Sequence, residues 1–231
     1  MGRLPIVWGL LAVQLVAAAK DFVMLDLDNT LSDSAKEQIR RVVSDGKIQG
    51  RDAGKMLALL REDIPALKWL VIQKRFDVLP SLLISYDEPY LNVCIPGGDS
   101  LILSREKTYT PSKAFRADIV GQVPCLTLEI PESCVSSHLP FVAQWAVQAP
   151  AEIWNSYRIS WHGIHYLSLV PKTFPLRRFV ITADQPLTDQ FFSLVRWVCA
   201  RRLPPDGTKT PWCIDMRFRG RLILIKEGKL K

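Results

Sequence analysis

From Asn92 onward, the chain contains short runs in which apolar and polar residues alternate, and proline or glycine separates these runs. Examples are Ser100–Leu103, Arg158–Val170 and Arg178–Thr182. A period of two is typical of strands that bury one face, and frequent turn residues favour connections between antiparallel neighbours. We therefore predict that residues 92–231 form a largely antiparallel β domain.

Two stretches of this region have helical spacing instead, Leu139–Ala149 and Leu187–Arg202. The second places Phe191 and Val198 on one face, which predicts a helix that packs against the sheet. Asp184 lies just before this helix, and its side chain is of a type that favours helix starts. The sequence therefore predicts two helices in the β domain and Asp184 as the cap of the second.

Residues 20–91 predict a different order of elements, β-α-α-β-β. The expected elements are a strand (Phe22–Leu27), a helix opened by Ser32 or by a Ser34–Glu37 capping box, a helix between Asp52 and Pro65, and a strand pair (Leu67–Phe76 and Ser81–Val93). Serine and aspartate favour helix starts because their oxygens accept hydrogen bonds from first-turn N–H groups. The fold class that follows for the whole chain is α+β.

The N-terminal segment Met1–Ala19 has the pattern of an export signal. Its apolar stretch, Leu4–Val16, precedes three alanines and contains no charge. This stretch is shorter than the roughly 20 residues of a comfortable membrane helix, and the small residues after it suit a signal peptidase, so cleavage stays an alternative. We expect a single-pass membrane anchor, with the bulk of the chain on the exported side.

Charge and cysteine content favour neither nucleic-acid binding nor a metal site. The net charge of +7 is spread along the chain in short pairs such as Arg40-Arg41, which do not make a concentrated phosphate-binding patch. A diffuse basic surface is typical of proteins near anionic lipid or an acidic partner, and also of an ordinary solvated surface. The five cysteines lack C-x-x-C spacing, so we expect no zinc site and no full disulfide framework. His162 and His165 are three apart, which on one strand would place them on opposite faces.

The stretch Asp21–Ser34 admits a catalytic interpretation. An apolar run ending in Asp26-Leu-Asp28-Asn-Thr30 has the form of the nucleophile motif of haloacid-dehalogenase-like phosphatases. In such an enzyme Asp26 would attack phosphorus and Asp28 would transfer the proton, with both carboxylates near Mg²⁺. That fold is a doubly wound parallel sheet, which requires helices between the strands, and residues 92–181 show few of them. We therefore keep an exported Mg-dependent phosphatase as the alternative.

Several motifs resemble the FtsQ/DivIB family of bacterial cell division proteins. The first module matches the family pattern at Leu60, Pro65, Leu67-Lys68, Ile72, Lys74-Arg75-Phe76, Leu79-Pro80, Leu82, Ile84 and Glu88-Pro89. In the β domain, Val123–Leu126 resembles an "L-P-x-L" step. The segment Ile214-Asp215-Met216-Arg217-Phe218 resembles the family's "(I/V)-D-L-R-(Y/F)" strand, its most specific local signature.

The resemblance implies a fold, a function and partners. It implies an anchor at 1–19 in the bacterial inner membrane, followed in the periplasm by a POTRA module at 20–91 and an FtsQ-type β domain at 92–231. It also implies a divisome scaffold without catalytic residues, cofactor or metal, which recruits FtsB/FtsL-type partners at the septum and contacts other division proteins through the POTRA module. Partner binding is expected by strand addition at the C-terminal edge, on the residues Arg221, Leu222, Ile223, Leu224, Ile225 and Lys226. A POTRA adaptor of another assembly system is a third hypothesis, but it leaves Ile214–Phe218 unexplained.

We expect the intact protein to sediment with the inner membrane and to resist extraction by high salt, because an apolar segment such as Leu4–Ala19 is not released by screening charge. Protease added to the periplasmic side should then digest residues after Lys20. A soluble periplasmic protein whose N-terminus is Lys20 would show instead that the segment is a cleaved signal peptide.

Overall fold

The computed structural model describes residues 23–26, 29–44, 53–73, 81–174, 176–200, 211–218 and 221–226. The chain divides into two compact units. Unit 1 contains the described residues up to Asp87 together with Lys113–Arg116, and unit 2 contains Glu88–Ser112 and the described residues from Ala117 onward. The export signal predicted at Met1–Ala19 lies outside the described residues.

The helices and strands are, in chain order, β1 (Val23–Asp26), α1 (Asp33–Ser44), α2 (Ala53–Asp63), β2 (Leu67–Gln73), β3 (Ser81–Tyr86), β4 (Pro89–Cys94), β5 (Leu101–Ser104), β6 (Tyr109–Pro111), α3 (Ala117–Gln122), β7 (Cys125–Leu128), α4 (Val135–Gln148), α5 (Ala151–Ser156), β8 (Tyr157–Gly163), β9 (Tyr166–Pro171), β10 (Arg177–Ile181), α6 (Asp189–Ala200), β11 (Trp212–Asp215) and β12 (Ile223–Lys226). Short 3₁₀ turns occupy Ser112–Ala114 and Glu132–Cys134. Among the described helices, none combines the length and apolar character needed to cross a membrane.

Unit 1 contains a small sheet with the strand order β1-β3-β2. Strand β1 runs parallel to β3, and β2 runs antiparallel to it. The order of elements is β-α-α-β-β, as the sequence predicts. Leu31, Ile39, Leu60 and Ile64 are each at most 1% exposed, so apolar side chains around α1 and α2 supply the buried core of this unit.

Of the two candidate serines, Ser32 caps helix α1. Its Oγ accepts a hydrogen bond from the Ala35 N–H at 3.2 Å, which is the geometry of an N-cap residue. A cap at Ser34 would have started the helix two residues later. The Ser32 hydroxyl also donates to the Lys113 carbonyl at 2.7 Å. The segment Lys113–Arg116 is thereby tied to the start of α1, which explains why it belongs to unit 1.

Unit 2 is organised around one large sheet with the strand order β12-β11-β10-β9-β8-β7-β4-β5-β6. The pairs β4–β5, β5–β6, β8–β9, β9–β10 and β11–β12 are antiparallel. The pairs β4–β7, β7–β8 and β10–β11 are parallel. The predicted α+β class with a mostly antiparallel sheet is therefore confirmed, and the sheet is mixed in three places.

One face of this sheet, the core face, packs against α4, α5 and α6. Trp161 is fully buried there, and its indole N–H donates to His138 Nδ1 on α4 at 3.2 Å. Trp145 packs edge to face against both Trp154 and Trp161, with ring centroids 5.5 and 6.2 Å apart. Large aromatic side chains bury much apolar area, so this cluster holds the helices on the sheet. The opposite side of the sheet is called the second face below.

The structure corrects several predicted boundaries. The alternating run Arg158–Val170 is a hairpin, β8 and β9, whose turn follows Gly163, the last residue of β8, which has a φ of +150°. Alternation continues across the turn because both strands bury the same face, so spacing alone cannot locate the turn. The run Ser81–Val93 likewise separates into β3 and β4, which belong to different units. Helices α3 and α5 were not predicted, because helices of six residues are too short to show a helical period.

Two cysteines form a disulfide that the sequence does not predict. Cys94 on β4 and Cys125 on β7 are bonded, with their Cα atoms 6.6 Å apart. The two strands are parallel neighbours, so residues 31 apart in sequence meet on one face of the sheet. Of the other three cysteines, Cys134 and Cys199 are half-buried and Cys213 is buried.

Candidate partner-binding edge

Strand β12 forms one edge of the large sheet. It pairs antiparallel with β11, with Asp215 opposite Ile223 and Ile214 opposite Leu224. The predicted strand began at Arg221, whereas the observed strand begins at Ile223. Arg221 and Leu222 therefore precede the strand, and the remaining four predicted partner-binding residues lie within it.

A tight connection brings β12 back beside β11. The Arg221 N–H donates to the Phe218 carbonyl at 3.1 Å, which closes a turn between the two strands. Arg219 and Gly220 lie outside the described residues. A short antiparallel connection of this kind leaves little freedom in the register of the edge strand.

Apolar side chains at this edge are unusually exposed. Leu222, Ile223 and Leu224 are 38%, 40% and 41% exposed, although most large apolar residues of the sheet are buried. Leu224 lies opposite the core residue Ile214, and Ile223 lies opposite Asp215, so both faces of the strand present apolar surface. Ile225 is half-buried and Arg221 is exposed. Of Lys226 the structure describes only the backbone position, at the end of β12.

Asp215 and Arg217 form a strong ion pair beside the edge strand. The Arg217 Nη2 donates to Asp215 Oδ2 at 2.6 Å, and its Nε donates to Oδ1 at 3.0 Å. The Arg217 backbone N–H also donates to Oδ1, at 3.1 Å. Hydrogen bonds from Arg217 are the main reason why the pKa of Asp215 lies below its usual value, against the opposing effect of burial. The pair fixes the end of β11, where the chain leaves towards β12.

This ion pair continues into a row of stacked side chains on the second face. The Arg217 guanidinium lies 5.5 Å from the ring centroid of Tyr166, and Tyr166 stacks on His162 with centroids 4.3 Å apart. His162 Nδ1 lies 3.5 Å from a carboxylate oxygen of Glu129. Burial lowers the pKa of His162, and Glu129 opposes this shift. The row links β11 to the end of β7, and it supports the end of the sheet that carries the edge strand.

The two histidines are not partners in a metal site. His162 lies on β8 and takes part in the stacked row, whereas His165 lies in the turn before β9. The Arg217 Nη1 donates to the His165 backbone carbonyl at 3.5 Å. The prediction placed both histidines on one strand; the turn between β8 and β9 separates them instead.

A groove adjoins the edge strand. It has a volume of about 690 Å³ and lies between α6 and the segment that joins β11 to β12. Phe191, Leu194, Phe218 and Leu222 give it apolar walls, and Arg221 adds a positive charge. Sequence reasoning missed the groove, because its walls come from two separate stretches, 182–194 and 216–222, that only the fold brings together.

The structure also places the residues of the catalytic alternative. Asp26 is the last residue of β1, opposite Ile84, and Asp28 lies outside the described residues. The predicted cap Asp184 does not open α6, because Thr188 Oγ1 accepts the hydrogen bond from the Phe191 N–H, at 3.4 Å. Within the described part of the chain, the large sheet is not the doubly wound parallel sheet that such a phosphatase requires.

Comparison with known proteins adds no assignment, since no family model matches the chain and no curated protein matches it either. The geometry of the edge strand, the Asp215–Arg217 pair and the groove is therefore the basis for a proposal about function.

We expect Asp215→Asn to lower the free energy of unfolding by about 2 kcal/mol at pH 7, because the buried amide cannot replace a carboxylate that accepts several hydrogen bonds. Asp189→Asn, at an exposed position of α6, is the matched control and should cost no more than about 1 kcal/mol. Urea unfolding monitored by tryptophan fluorescence measures both values.

The difference in the free energy of unfolding between wild type and Asp215→Asn should depend on pH. Because the folded state lowers the pKa of Asp215, its contribution is complete above the unfolded pKa of about 3.9 and is lost as the pH falls through the lower folded value. The gap between wild type and Asp215→Asn should therefore shrink at pH 3. An equal gap at pH 3 and pH 7 would contradict the assigned ion pair.

Proposed function

We propose that the protein is a non-catalytic scaffold of bacterial cell division, similar to FtsQ, and that it recruits an FtsB/FtsL-type partner by strand addition to β12. The observation that carries this proposal is an edge strand whose Ile223 and Leu224, together with Leu222 just before it, are each about 40% exposed. Exposed apolar edge strands are normally shortened, charged or covered, because they pair readily with other chains. An edge that keeps its apolar side chains is suited to a partner strand.

In strand addition, affinity and selectivity come from different chemical groups. Backbone N–H and C=O groups on the outer side of β12 would pair with any extended segment, which supplies affinity. Alternate side chains then select the partner: Leu224 on the core face and Ile223 on the second face each favour apolar residues in the added strand. The adjoining groove, which contains Phe218 and Leu222, can receive a further apolar residue from the same partner.

Two features of the fold support the family assignment within this proposal. Unit 1 has the element order β-α-α-β-β that the POTRA module has. In unit 2, the segment Ile214–Phe218 ends β11 and leads directly into the edge strand, and in the family the strand after this signature receives the partner. Asp215 and Arg217, the charged residues of the signature, hold that junction.

The remaining parts of the proposal concern location and further partners. A single-pass anchor at Met1–Ala19 would hold the protein at the inner membrane with both units in the periplasm. Unit 1 would then contact other division proteins near the membrane, as POTRA modules do. The net charge of +7 is consistent with work beside an anionic membrane surface.

We expect Ile223→Glu to weaken binding of an FtsB-type segment from the same organism by at least about 100-fold, because a carboxylate would be buried against an apolar strand at a cost of about 3 kcal/mol. Leu224→Pro should do the same by removing a backbone donor from the edge. Fluorescence anisotropy with a labelled partner segment gives the dissociation constants.

The matched control is Phe174→Glu, since Phe174 is 46% exposed and lies in the turn after β9, away from the edge. It should leave binding within about twofold of wild type. Circular dichroism must show that each variant stays folded. Undiminished binding by folded Ile223→Glu and Leu224→Pro would place the interface elsewhere.

The phosphatase alternative has its own test at Asp26. A scaffold should show no Mg²⁺-dependent hydrolysis of p-nitrophenyl phosphate above background, and Asp26→Asn should change neither folding nor partner binding. Robust hydrolysis by the wild type that disappears in Asp26→Asn would establish a nucleophilic carboxylate. That result would overturn the scaffold proposal.

A further inference from the structure

The turn between β9 and β10, in unit 2, presents two exposed apolar side chains. Strand β9 ends at Pro171 and β10 begins at Arg177, and the structure describes residues 172–174 and 176 between them. Phe174 is 46% exposed and Leu176 is 43% exposed. We call this part of the chain the β9–β10 tip; its described residues are Lys172, Thr173, Phe174, Leu176 and Arg177.

Backbone hydrogen bonds define the path of this tip. The Phe174 N–H donates to the Pro171 carbonyl at 3.1 Å, and the Arg177 N–H donates to the Phe174 carbonyl at 3.0 Å. From the neighbouring strand β11, the Trp212 N–H donates to the Leu176 carbonyl at 2.9 Å. Hydrogen-bonded backbone geometry therefore leaves Phe174 and Leu176 at the surface.

Cationic residues stand on both sides of the apolar pair. Lys172 lies two residues before Phe174, and Arg177 directly follows Leu176. Lys172 is exposed and Arg177 is half-buried. The Lys172 ammonium donates to the Trp154 carbonyl at 3.1 Å, and because this acceptor is neutral, the bond leaves the positive charge of the side chain in place. The order along the tip is thus basic, apolar, apolar, basic.

The chain on either side of the tip contains no acidic residue over a long stretch. Residues 153–183 include four lysines and arginines and no aspartate or glutamate. Glu152, the acidic residue just before this stretch, lies 3.7 Å from Arg196 on α6. The sequence around the tip therefore has a positive charge that attracts an anionic surface.

We propose that the β9–β10 tip binds the surface of an anionic lipid bilayer, as a membrane contact separate from the expected anchor. Phe174 and Leu176 enter the boundary between headgroups and acyl chains, and Lys172 and Arg177 stay among the lipid phosphates. Lysine and arginine suit this position because their aliphatic stems lie along apolar surface while their charged ends remain in water. The proposal does not depend on the division role or on β12.

The size and chemistry of the tip favour a bilayer over a protein partner. A stable protein interface buries about 800 Å² on each partner, and two partly exposed side chains supply only a small part of that area. A bilayer takes up apolar side chains without requiring a complementary shape, so a short tip is sufficient. An acidic peptide would pair with the cations but leave Phe174 and Leu176 in water.

The test is photocrosslinking of the full chain in lipid nanodiscs. A benzophenone amino acid replaces Phe174, and in the control it replaces Phe141 on α4, which is 45% exposed. The discs contain either a mixture of phosphatidylglycerol and phosphatidylcholine or phosphatidylcholine alone. Mass spectrometry measures the lipid adducts at each position, so contacts of the expected anchor do not contribute to the signal.

We expect the adduct yield at position 174 in anionic discs to exceed both the yield at position 141 and the yield at 174 in neutral discs by at least about fivefold. Lys172→Gln and Arg177→Gln should each lower the yield at 174 by about fivefold, because one cation near an anionic surface strengthens binding by about this factor. Arg196→Gln removes the same charge from α6 and should change the yield by less than about twofold.

Several results would overturn the proposal. These are equal yields at positions 174 and 141, equal yields in anionic and neutral discs, or unchanged yields in both Lys172→Gln and Arg177→Gln. A crosslinked dimer in place of lipid adducts would assign the tip to a contact with a second copy of the chain.

The charge variants should fold, because Lys172 is exposed and Arg177 is half-buried, and circular dichroism checks this. The comparison of the two lipid compositions needs no charge variant. Partner binding at β12 is measured on the same proteins: it should be unchanged, and its failure would bear on the proposed function alone.

Discussion

An open β-sheet must end in strands whose outer backbone groups have no neighbour within the sheet, and this constraint governs the proposed binding site. At one end of the large sheet, β12 leaves Leu222, Ile223 and Leu224 partly exposed. The Asp215–Arg217 pair and the stacked row from Tyr166 to Glu129 hold the neighbouring strands in register without covering the edge. An edge strand whose neighbours are already in register would add a partner strand at a lower entropic cost.

The two faces of the large sheet carry different kinds of side chain. The core face buries aromatic and aliphatic side chains against the helices, and Trp161 is fully buried there. The second face carries charged and polar groups, including the stacked row. Alternation along each strand produces this division, because neighbouring residues point to opposite faces.

Sequence patterns predicted the elements better than they predicted the sites. Alternation located most strands, and the predicted edge strand Arg221–Lys226 exists as Ile223–Lys226. The cap of α6 was wrong, since Asp184 and Thr188 are both suitable cap residues and only geometry distinguishes them. The stacked row draws its residues from β8, β9 and the ends of β7 and β11, and local spacing in the sequence does not reveal how distant strands pair.

The most direct measurement of the central claim is amide hydrogen exchange in β12 with and without an FtsB-type segment. Strand addition should slow exchange at alternate backbone N–H groups between Ile223 and Lys226, because only the outward-facing groups gain a new acceptor. Amides in α4, on the core face, should keep their rates. Saturating partner binding that leaves every β12 amide unchanged would contradict the account.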